Sequence, residues 1–305
     1  MKFNANIVST DNTVLNLTDK DKFPAPELLS IEDIFDLKNI DDTFRKRTFS
    51  HYEFNGFAVP RVSDILSFCG SKEGIIQWAA SLEAKEYYKI KNTALRVGSS
   101  AHEAIEKYIL GIYNDKMCID ILRDNSVNGL HGKNEVNQAI TCFKNFLAWE
   151  RNLNHYGLEI EKVLGSEVKL VTPYFGGTFD LVLQINGSVY VVDLKSSKKI
   201  SYEYCVQTAA YYWAIVNGYC DSVPYVNGTG IVRLDKYEEN KYGDLFFNTH
   251  IPYQYQALQY YINTFIAYLN AYYHGKNAEL EFVKDKHEYK RNFTLRGDEY
   301  DYSGK

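Results

Sequence analysis

Alternation of apolar and polar residues is clearest over residues 176–195, where two runs rich in β-branched and aromatic residues flank the dipeptide Asn186-Gly187. An Asn-Gly pair between two such runs predicts a two-residue β-hairpin, because both residues tolerate the positive φ of a type I′ turn. The register can be counted outward from the turn, starting with Ile185 opposite Ser188.

This register brings two acids together near the open end of the hairpin. It pairs Val182 with Val191 and Asp180 with Asp193. Opposed residues share a face, with Cβ atoms about 4.5–5.5 Å apart, and like charges so placed destabilise a sheet. Because the face is otherwise apolar, we expect a divalent cation such as Mg²⁺ to neutralise the pair. Lys195 follows Asp193 by two residues and therefore shares its face.

Two carboxylates and one ammonium suit metal-assisted hydrolysis of a phosphodiester. A metal polarises the phosphoryl group and lowers the pKa of bound water, while Lys195 would position that water or offset negative charge in the transition state. The pattern therefore predicts catalytic roles for Asp180, Asp193 and Lys195, with both acids as metal ligands.

Upstream, a helix is predicted to begin at Gly98 and Ser99 and to carry His102 and Glu106, which lie four residues apart and face one way. Taken alone, His102 fits a surface or capped histidine as well as a ligand, and Glu106 fits a plain surface acid. Before it, residues 73–89 show helical periodicity with an apolar face.

Downstream of the hairpin, residues 203–216 predict a helix on which Gln207 and Tyr211 share one side. Gln207 could orient Lys195 or a phosphate, and Tyr211 could pack on the site or on a nucleotide. The alternative is an aromatic on an ordinary packed helix face.

The remaining periodic segments complete an alternation of strands and helices. They are a short helix at 28–37, an Asn-Gly hairpin at 51–59, a helix at 135–154, strands at 158–163, 167–171, 231–234 and 245–247, and a tyrosine-rich helix at 251–273. This order argues for an α/β domain in which helices flank a central mixed β-sheet. Gly176 and Gly177 would allow close approach of a phosphate or a turn with positive φ.

Four motifs resemble those of the PD-(D/E)XK nuclease superfamily. In chain order they are residues 59–66, residues 98–106, Asp180 with residues 193–195, and residues 207–211. The third is similar to the superfamily signature, with aspartate where glutamate is frequent. The second and fourth resemble the histidine and Gln-x-x-x-Tyr motifs of the RecB-like branch. The first resembles the opening of phage exonucleases related to the mitochondrial genome maintenance exonuclease.

The resemblance covers about residues 57–220 and implies a restriction-endonuclease-like PD-(D/E)XK core, which we assign to residues 57–282. The polar residues before it predict a peripheral extension at 1–56, and the charged residues after it predict a tail at 283–305. The resemblance also implies site roles for further residues. His102 would join Asp180 and Asp193 at the metal, and a second group would support the site or bind substrate, namely Gln207, Tyr211, Glu167 and Glu106. A lone strand-edge glutamate such as Glu167 is, however, usually solvated.

The function implied is a Mg²⁺- or Mn²⁺-dependent deoxyribonuclease, an exonuclease acting on DNA ends or single strands in phage or bacterial DNA replication, recombination or repair. A single-strand annealing or recombination protein is an expected partner. Two alternatives remain open: a structure-specific endonuclease, and a DNA-binding or assembly module that keeps the fold without turnover.

Composition narrows these expectations. The chain has 305 residues and a formal charge of −5, which argues against broad coating of duplex DNA but allows a local basic lining. Five cysteines without a Cys-x-x-Cys pair suggest neither a disulfide framework nor a zinc ribbon, and no iron–sulfur cluster is expected. No apolar run has membrane-spanning length, so we expect no membrane association and a cytoplasmic location in a bacterial or phage-infected cell.

Overall fold

The computed structural model describes residues 52–70, 73–124 and 129–296. Its centre is a mixed five-stranded sheet of order β3-β4-β5-β6-β7, in which β5 and β6 run parallel and the other neighbours run antiparallel. Its strands are β3 (Ile160–Val171), β4 (Gly176–Ile185), β5 (Ser188–Lys195), β6 (Gly228–Leu234) and β7 (Tyr242–Asn248). A separate hairpin joins β1 (Tyr52–Phe54) to β2 (Phe57–Val59).

Helices cover both faces of the sheet. They are α1 (Val62–Cys69), α2 (Glu73–Ala80), α3 (Ala84–Ile109), α4 (Asp115–Arg123), α5 (Gly132–His155), α6 (Tyr202–Val216) and α7 (Pro252–Arg296). The predicted α/β fold, a central mixed sheet flanked by helices, is confirmed.

Each face of the sheet has its own core. Val182, Val189 and Val191 pack among buried residues of α1, α6 and α7. Leu183 and Val192, which point the other way, pack among buried residues of α3, α4 and α5. Such burial on both faces explains why β4 and β5 are rich in Val, Ile and Leu, since each buried aliphatic side chain contributes about 1.5–3 kcal/mol.

The structure corrects three helix predictions. The helix that carries His102 does not begin at Gly98, because α3 runs without interruption from Ala84. The helical segment predicted at 73–89 is divided between α2 and α3. Within its predicted apolar face, Ile76 is 60% exposed.

The tyrosine-rich helix is longer than predicted, since α7 continues to Arg296 and so includes part of the predicted charged tail. The two strands predicted at 158–163 and 167–171 form one strand, β3, with register shifts between Ile160 and Gly165.

The short helix predicted at Leu28 to Leu37 lies outside the described residues, as do most of the predicted extension at 1–56 and the last part of the tail. Among the described helices, none combines the length and the apolarity that crossing a lipid bilayer requires.

Candidate active site

The central hairpin has the predicted register. Both turn residues have positive φ, 45° at Asn186 and 76° at Gly187. The ladder between β4 and β5 runs from Ile185 opposite Ser188 to Leu181 opposite Val192. The turn therefore fixes the pairing as far as Leu181 and Val192, and the predicted pair of Asp180 with Asp193 lies beyond the end of this ladder.

Asp180 lies beyond this last ladder pair, and its side chain, rather than its backbone, accepts a hydrogen bond from β5. Asp180 Oδ2 accepts a hydrogen bond of 2.6 Å from the backbone N–H of Leu194, the neighbour of Asp193. This contact holds the Asp180 carboxylate against β5 at the end of the sheet where Asp193 and Lys195 lie.

The alternation of faces is interrupted around Asp180. Phe179 belongs to the core on the α6 side, whereas Leu181, two residues later, belongs to the core on the α3 side. On the neighbouring strand, Glu167 has the left-handed φ of 47° that non-glycine residues rarely adopt. Both strands are therefore irregular where they carry an acid, although the pairs on either side, Ser166 with Leu181 and Val168 with Phe179, keep one register.

Three side chains converge at this irregularity. Ligand atoms of His102, Glu167 and Asp180 all lie within 4.8 Å of one another. His102 Nδ1 is 3.5 Å from Asp180 Oδ1. The three residues come from α3, β3 and β4, so the site forms where the helix crosses the sheet.

Asp193 and Lys195 form the other half of the site. Asp193 is only 2% exposed, and its Oδ2 lies 2.6 Å from Lys195 Nζ in an ion pair. Among the described residues, no donor reaches this buried oxygen with good hydrogen-bonding geometry. The Lys195 ammonium also lies 5.0 Å from the centre of the Tyr204 ring, which adds a cation–π attraction.

The electrostatics of His102 and Asp180 are reciprocal. Burial by itself would lower the pKa of His102, but the Asp180 carboxylate outweighs it, so the pKa is raised. Burial would likewise raise the pKa of Asp180, but His102, Lys195 and the Leu194 N–H together lower it. The pair therefore favours a carboxylate beside an imidazole that binds a proton readily.

The other acids are less well compensated. Burial, and after it the like charge of Asp180, raises the pKa of Asp193 to about 6, although Lys195 opposes the shift. Loss of hydration and the charge of Asp180 also raise the pKa of Glu167. Burial would lower the pKa of Lys195, but the two aspartates raise it, so the lysine is kept as an ammonium.

This donor set fits a divalent cation. Carboxylate oxygens and one imidazole nitrogen are ligands that Mn²⁺ accepts, and the carboxylates suit Mg²⁺. The observations that support the fit are the three donors within 4.8 Å of one another and the raised pKa of Asp193 and Glu167, whose charges lack full compensation.

Gln207 and Tyr211 lie on α6 and contact each other. Gln207 Nε2 donates a hydrogen bond of 3.1 Å to the Tyr211 hydroxyl, and the buried Tyr211 ring packs 5.6 Å from the Phe179 ring. Within the described part of the chain, Gln207 makes no hydrogen bond to Lys195. The structure therefore places Tyr211 against Phe179 of β4, the residue that precedes Asp180.

The two glycines at the start of β4 accommodate tyrosine rings. A Cβ on Gly176 would lie 2.3 Å from Tyr52, and one on Gly177 would lie 2.5 Å from Tyr211. Neither glycine has positive φ, so the predicted turn is wrong and close packing is the reason for glycine. Tyr52, which also shares a hydrogen bond with Thr178, carries no motif that marks it in the sequence.

Glu106 and Glu167 differ in their relation to the cluster. Glu106 lies on α3 one turn after His102 and is close enough to Glu167 to raise the pKa of that acid. Glu106 is not among the three residues whose donor atoms converge. Glu167 joins them because it stands opposite Asp180, between the register pairs Ser166–Leu181 and Val168–Phe179, a pairing that no residue pattern indicates.

The structure thus brings three acids, a histidine and a lysine together at the open end of the hairpin. The family model of the PD-(D/E)XK nuclease superfamily matches residues 77–294. The chain therefore belongs to the PD-(D/E)XK nuclease superfamily, as its motifs suggest.

Solved structures with a similar fold include a candidate exonuclease from Eubacterium rectale, with 15% identity, a TM-score of 0.35, and coverage of 69% of this chain and 81% of that one. LHK-Exo in complex with dAMP is similar at 16% identity and a TM-score of 0.28, covering 64% of this chain and 96% of that one. No curated protein shows a significant sequence match.

Proposed function

We propose that this protein is a divalent-metal-dependent deoxyribonuclease and that it acts as an exonuclease on DNA ends or single strands. The observation that carries the proposal is the convergence of His102, Glu167 and Asp180 within 4.8 Å, next to the buried ion pair of Asp193 with Lys195. Membership of the nuclease superfamily supports hydrolysis of nucleic acid, and the exonuclease role is our extension of it.

In this proposal Asp180, Asp193 and His102 hold Mg²⁺ or Mn²⁺, and Glu167 is a further donor. The bound metal supplies Lewis acidity toward the phosphoryl group and lowers the pKa of its water. Asp180 is oriented for this role by the Leu194 N–H, and His102 presents its Nδ1 toward the same carboxylate.

Lys195 is proposed to position the attacking water and to offset the negative charge that develops on the phosphate. Its ammonium is suited to this task because the aspartates keep it protonated. Gln207 and Tyr211 support the site from behind, since Tyr211 packs on Phe179 and so buttresses the strand at Asp180.

The test is a time course of DNA degradation with Mg²⁺ or Mn²⁺, using single- and double-stranded DNA labelled at either end. We expect metal-dependent release of mononucleotides or short products from one end. Asp193→Asn should reduce the rate by at least about 100-fold. The control is Asp244→Asn, which alters an acid of the same sheet that hydrogen-bonds to Trp149 and should retain activity. Equal rates for wild type and Asp193→Asn would refute the assignment.

A covalently closed single-stranded circle separates the proposed exonuclease from an endonuclease. The circle should survive while the linear form of the same strand is degraded. Cleavage of the circle would instead identify a structure-specific endonuclease. Binding of labelled DNA without any metal-dependent loss of full-length strand would identify a non-catalytic module.

We further infer that the chain belongs to the RecB-like branch and serves phage or bacterial DNA replication, recombination or repair in the cytoplasm. The histidine and Gln-x-x-x-Tyr motifs support this placement, and His102, Gln207 and Tyr211 are their defining residues. A single-strand annealing or recombination protein is the proposed partner. Co-purification of such a protein with the tagged chain from infected cells tests this, and its absence from the purified material would count against it.

A further inference from the structure

A second group of charged residues lies beside Lys195, at the ends of the parallel strands β5 and β6. Lys195 on β5 is the register partner of Arg233 on β6. The loop that follows Lys195 carries Lys198, and the loop that follows Arg233 carries Asp235 and Lys236. Two loops with basic side chains therefore leave the sheet next to the proposed catalytic lysine.

Arg233 ties these two loops together. It is only 6% exposed, and its Nη1 lies 3.3 Å both from the backbone carbonyl of Lys198 and from Asp235 Oδ2. Because one nitrogen of this buried arginine contacts atoms of both loops, Arg233 ties the two loops together. Ser197 fixes the first loop further by donating a hydrogen bond of 2.8 Å to the carbonyl of Lys199.

Asn145 of α5 fixes the second loop through hydrogen bonds. This side chain is fully buried and donates hydrogen bonds of 2.7 and 2.8 Å to the carbonyls of Asp235 and Glu238. Its oxygen accepts a hydrogen bond from the backbone N–H of Lys241. Asn145 thus fixes three backbone groups of this loop through its amide nitrogen and its oxygen.

The carboxylate of Asp235 in the second loop forms its hydrogen bonds within the protein. Asp235 Oδ1 accepts hydrogen bonds from the backbone N–H groups of Tyr237 and Glu238, while Oδ2 faces Arg233. The Asp235 charge is therefore used within the loop. The exposed Lys198 of the first loop and the half-buried Lys236 of the second loop carry positive charge on this side of Lys195.

Two nearby lysines are paired with glutamates of the second loop, whereas Lys198, Lys199 and Lys236 belong to no ion pair among the described residues. Lys241 pairs with Glu238 at 2.9 Å, and Lys144 pairs with Glu239 at 2.6 Å. Loss of hydration lowers the pKa of Lys236; Cys142 and the Asp235 carboxylate oppose this shift, and the like charge of Lys198 adds a smaller lowering contribution.

Such an arrangement suits an anion. We propose that Lys198 and Lys236 form a phosphate-binding subsite for the backbone of a nucleic-acid strand that passes Lys195, an inference that rests on the proposed function. In a protein with a net charge of −5, a local pair of lysines that belong to no ion pair, on loops fixed by hydrogen bonds, can provide the attraction that the whole surface does not. Arg233 is a positioning residue for this subsite.

The test is binding of labelled oligothymidylate in EDTA, where no metal-dependent cleavage occurs, as a function of salt concentration. The double variant Lys198→Gln/Lys236→Gln should bind about 10-fold more weakly, and its salt slope should fall by about 1.4, since each lost contact to a single strand contributes about 0.7. In Mg²⁺, the KM of the double variant should rise while kcat changes by less than about twofold.

The matched control is Lys162→Gln/Lys241→Gln, which removes the same net charge. Lys162 lies opposite Gln184 near the Asn-Gly turn, at the far end of the hairpin, and Lys241 is neutralised by Glu238. This control should bind and cleave like the wild type.

The outcomes separate the subsite from the function on which it rests. If the wild type binds and cleaves DNA, and the Lys198/Lys236 variant has the same affinity and salt slope, the subsite is refuted and the nuclease proposal stands. Equal weakening in the control variant would also refute the subsite, because general charge would then explain the loss. A wild type that cleaves no DNA but binds it with the predicted difference in salt slope refutes the enzyme alone.

Discussion

Two buried carboxylates, Glu135 at the start of α5 and Asp193 in β5, show how differently one fold can treat an acid. Glu135 is 6% exposed and Asp193 is 2% exposed. Burial by itself would raise the pKa of both groups, but the net pKa of Glu135 is lowered to about 2, whereas that of Asp193 is raised to about 6. The difference lies in the neighbours of each group.

Glu135 is surrounded by donors. Its carboxylate receives hydrogen bonds from two nitrogens of Arg96, at 2.9 and 2.5 Å. The Thr93 hydroxyl and the backbone N–H of His131 each add one at 2.9 Å. The charge is fully compensated, and the contact fastens α3 to α5. This is an acid that stabilises the fold.

Asp193 has one cation, Lys195, and a second acid, Asp180, nearby. Its charge is therefore incompletely compensated within the protein. A buried polar group that lacks full compensation is costly, and such positions concentrate where a ligand is bound. The comparison separates an acid that holds two helices together from an acid that we propose binds a cation.

The largest effect should follow from Asp180→Asn. Removal of this charge should lower kcat/KM by at least about 100-fold and should abolish stabilisation by Mn²⁺. Wild-type protein at 100 times the Kd of the metal should gain about 2.7 kcal/mol, visible as a rise in Tm. Thermal melts with and without Mn²⁺ provide the measurement. An unchanged metal-induced rise in Tm in Asp180→Asn would exclude this residue as a ligand.

The converse variant, Glu135→Gln, should reduce the free energy of unfolding by about 1.5–3 kcal/mol, because it removes the charge that accepts several hydrogen bonds in a partly buried ion pair with Arg96. Urea unfolding measures the change. Glu103→Gln alters an exposed acid that pairs with Lys107 on the surface of α3 and should cost less than about 1 kcal/mol. Similar losses in the two variants would mean that the Arg96–Glu135 contact is not a special stabiliser.

The pH dependence of stability sharpens the same point. The pKa of Glu135 is lowered from 4.5 to about 2 on folding, so its contribution is complete above about pH 4.5 and is lost as the pH falls toward 2. Over that window the wild type should lose about 2–3 kcal/mol more than Glu135→Gln. Unfolding in urea at several pH values tests this, and parallel pH profiles for the two proteins would contradict it.

A smaller effect is expected from Gly177→Ala. The new Cβ would meet the Tyr211 ring at 2.5 Å, and overpacking of this kind costs about 1–3 kcal/mol. Tyr211→Phe keeps the ring and loses the hydroxyl that accepts from Gln207, so it should cost about 1 kcal/mol. If urea unfolding finds Gly177→Ala as stable as the wild type, the contact does not constrain β4.

The hairpin was predictable because its turn is local. Asn186 and Gly187 determine the register by their own conformational preferences, and every ladder pair from Leu181 to Ile185 follows from counting. By contrast, the residue at which α3 begins depends on contacts with parts of the chain that are far away in the sequence. Gly98 looks like a helix start, but its cost of about 1 kcal/mol within a helix is outweighed when the helix packs on the sheet. Gly98 also lies close to Ser196, the residue after Lys195.

The grouping of Glu167 with His102 and Asp180 could not be predicted from residue patterns. It depends on the left-handed φ of Glu167 and on the change of face between Phe179 and Leu181. Period-two alternation assumes a regular strand, so it fails where two irregular strands meet. The packing of Tyr52 against Gly176 likewise joins segments that are far apart in the chain.

The way β5 is paired has a consequence for assembly. Its antiparallel partner β4 is two residues away through the turn, and hairpins of this kind close within about 1–10 μs. Its parallel partner β6 can dock only after the crossover through α6 has formed, which is a slower, non-local step. Repulsion between the acids of the hairpin is therefore present before the second neighbour arrives, and it opposes the earliest stage of folding as well as the finished structure.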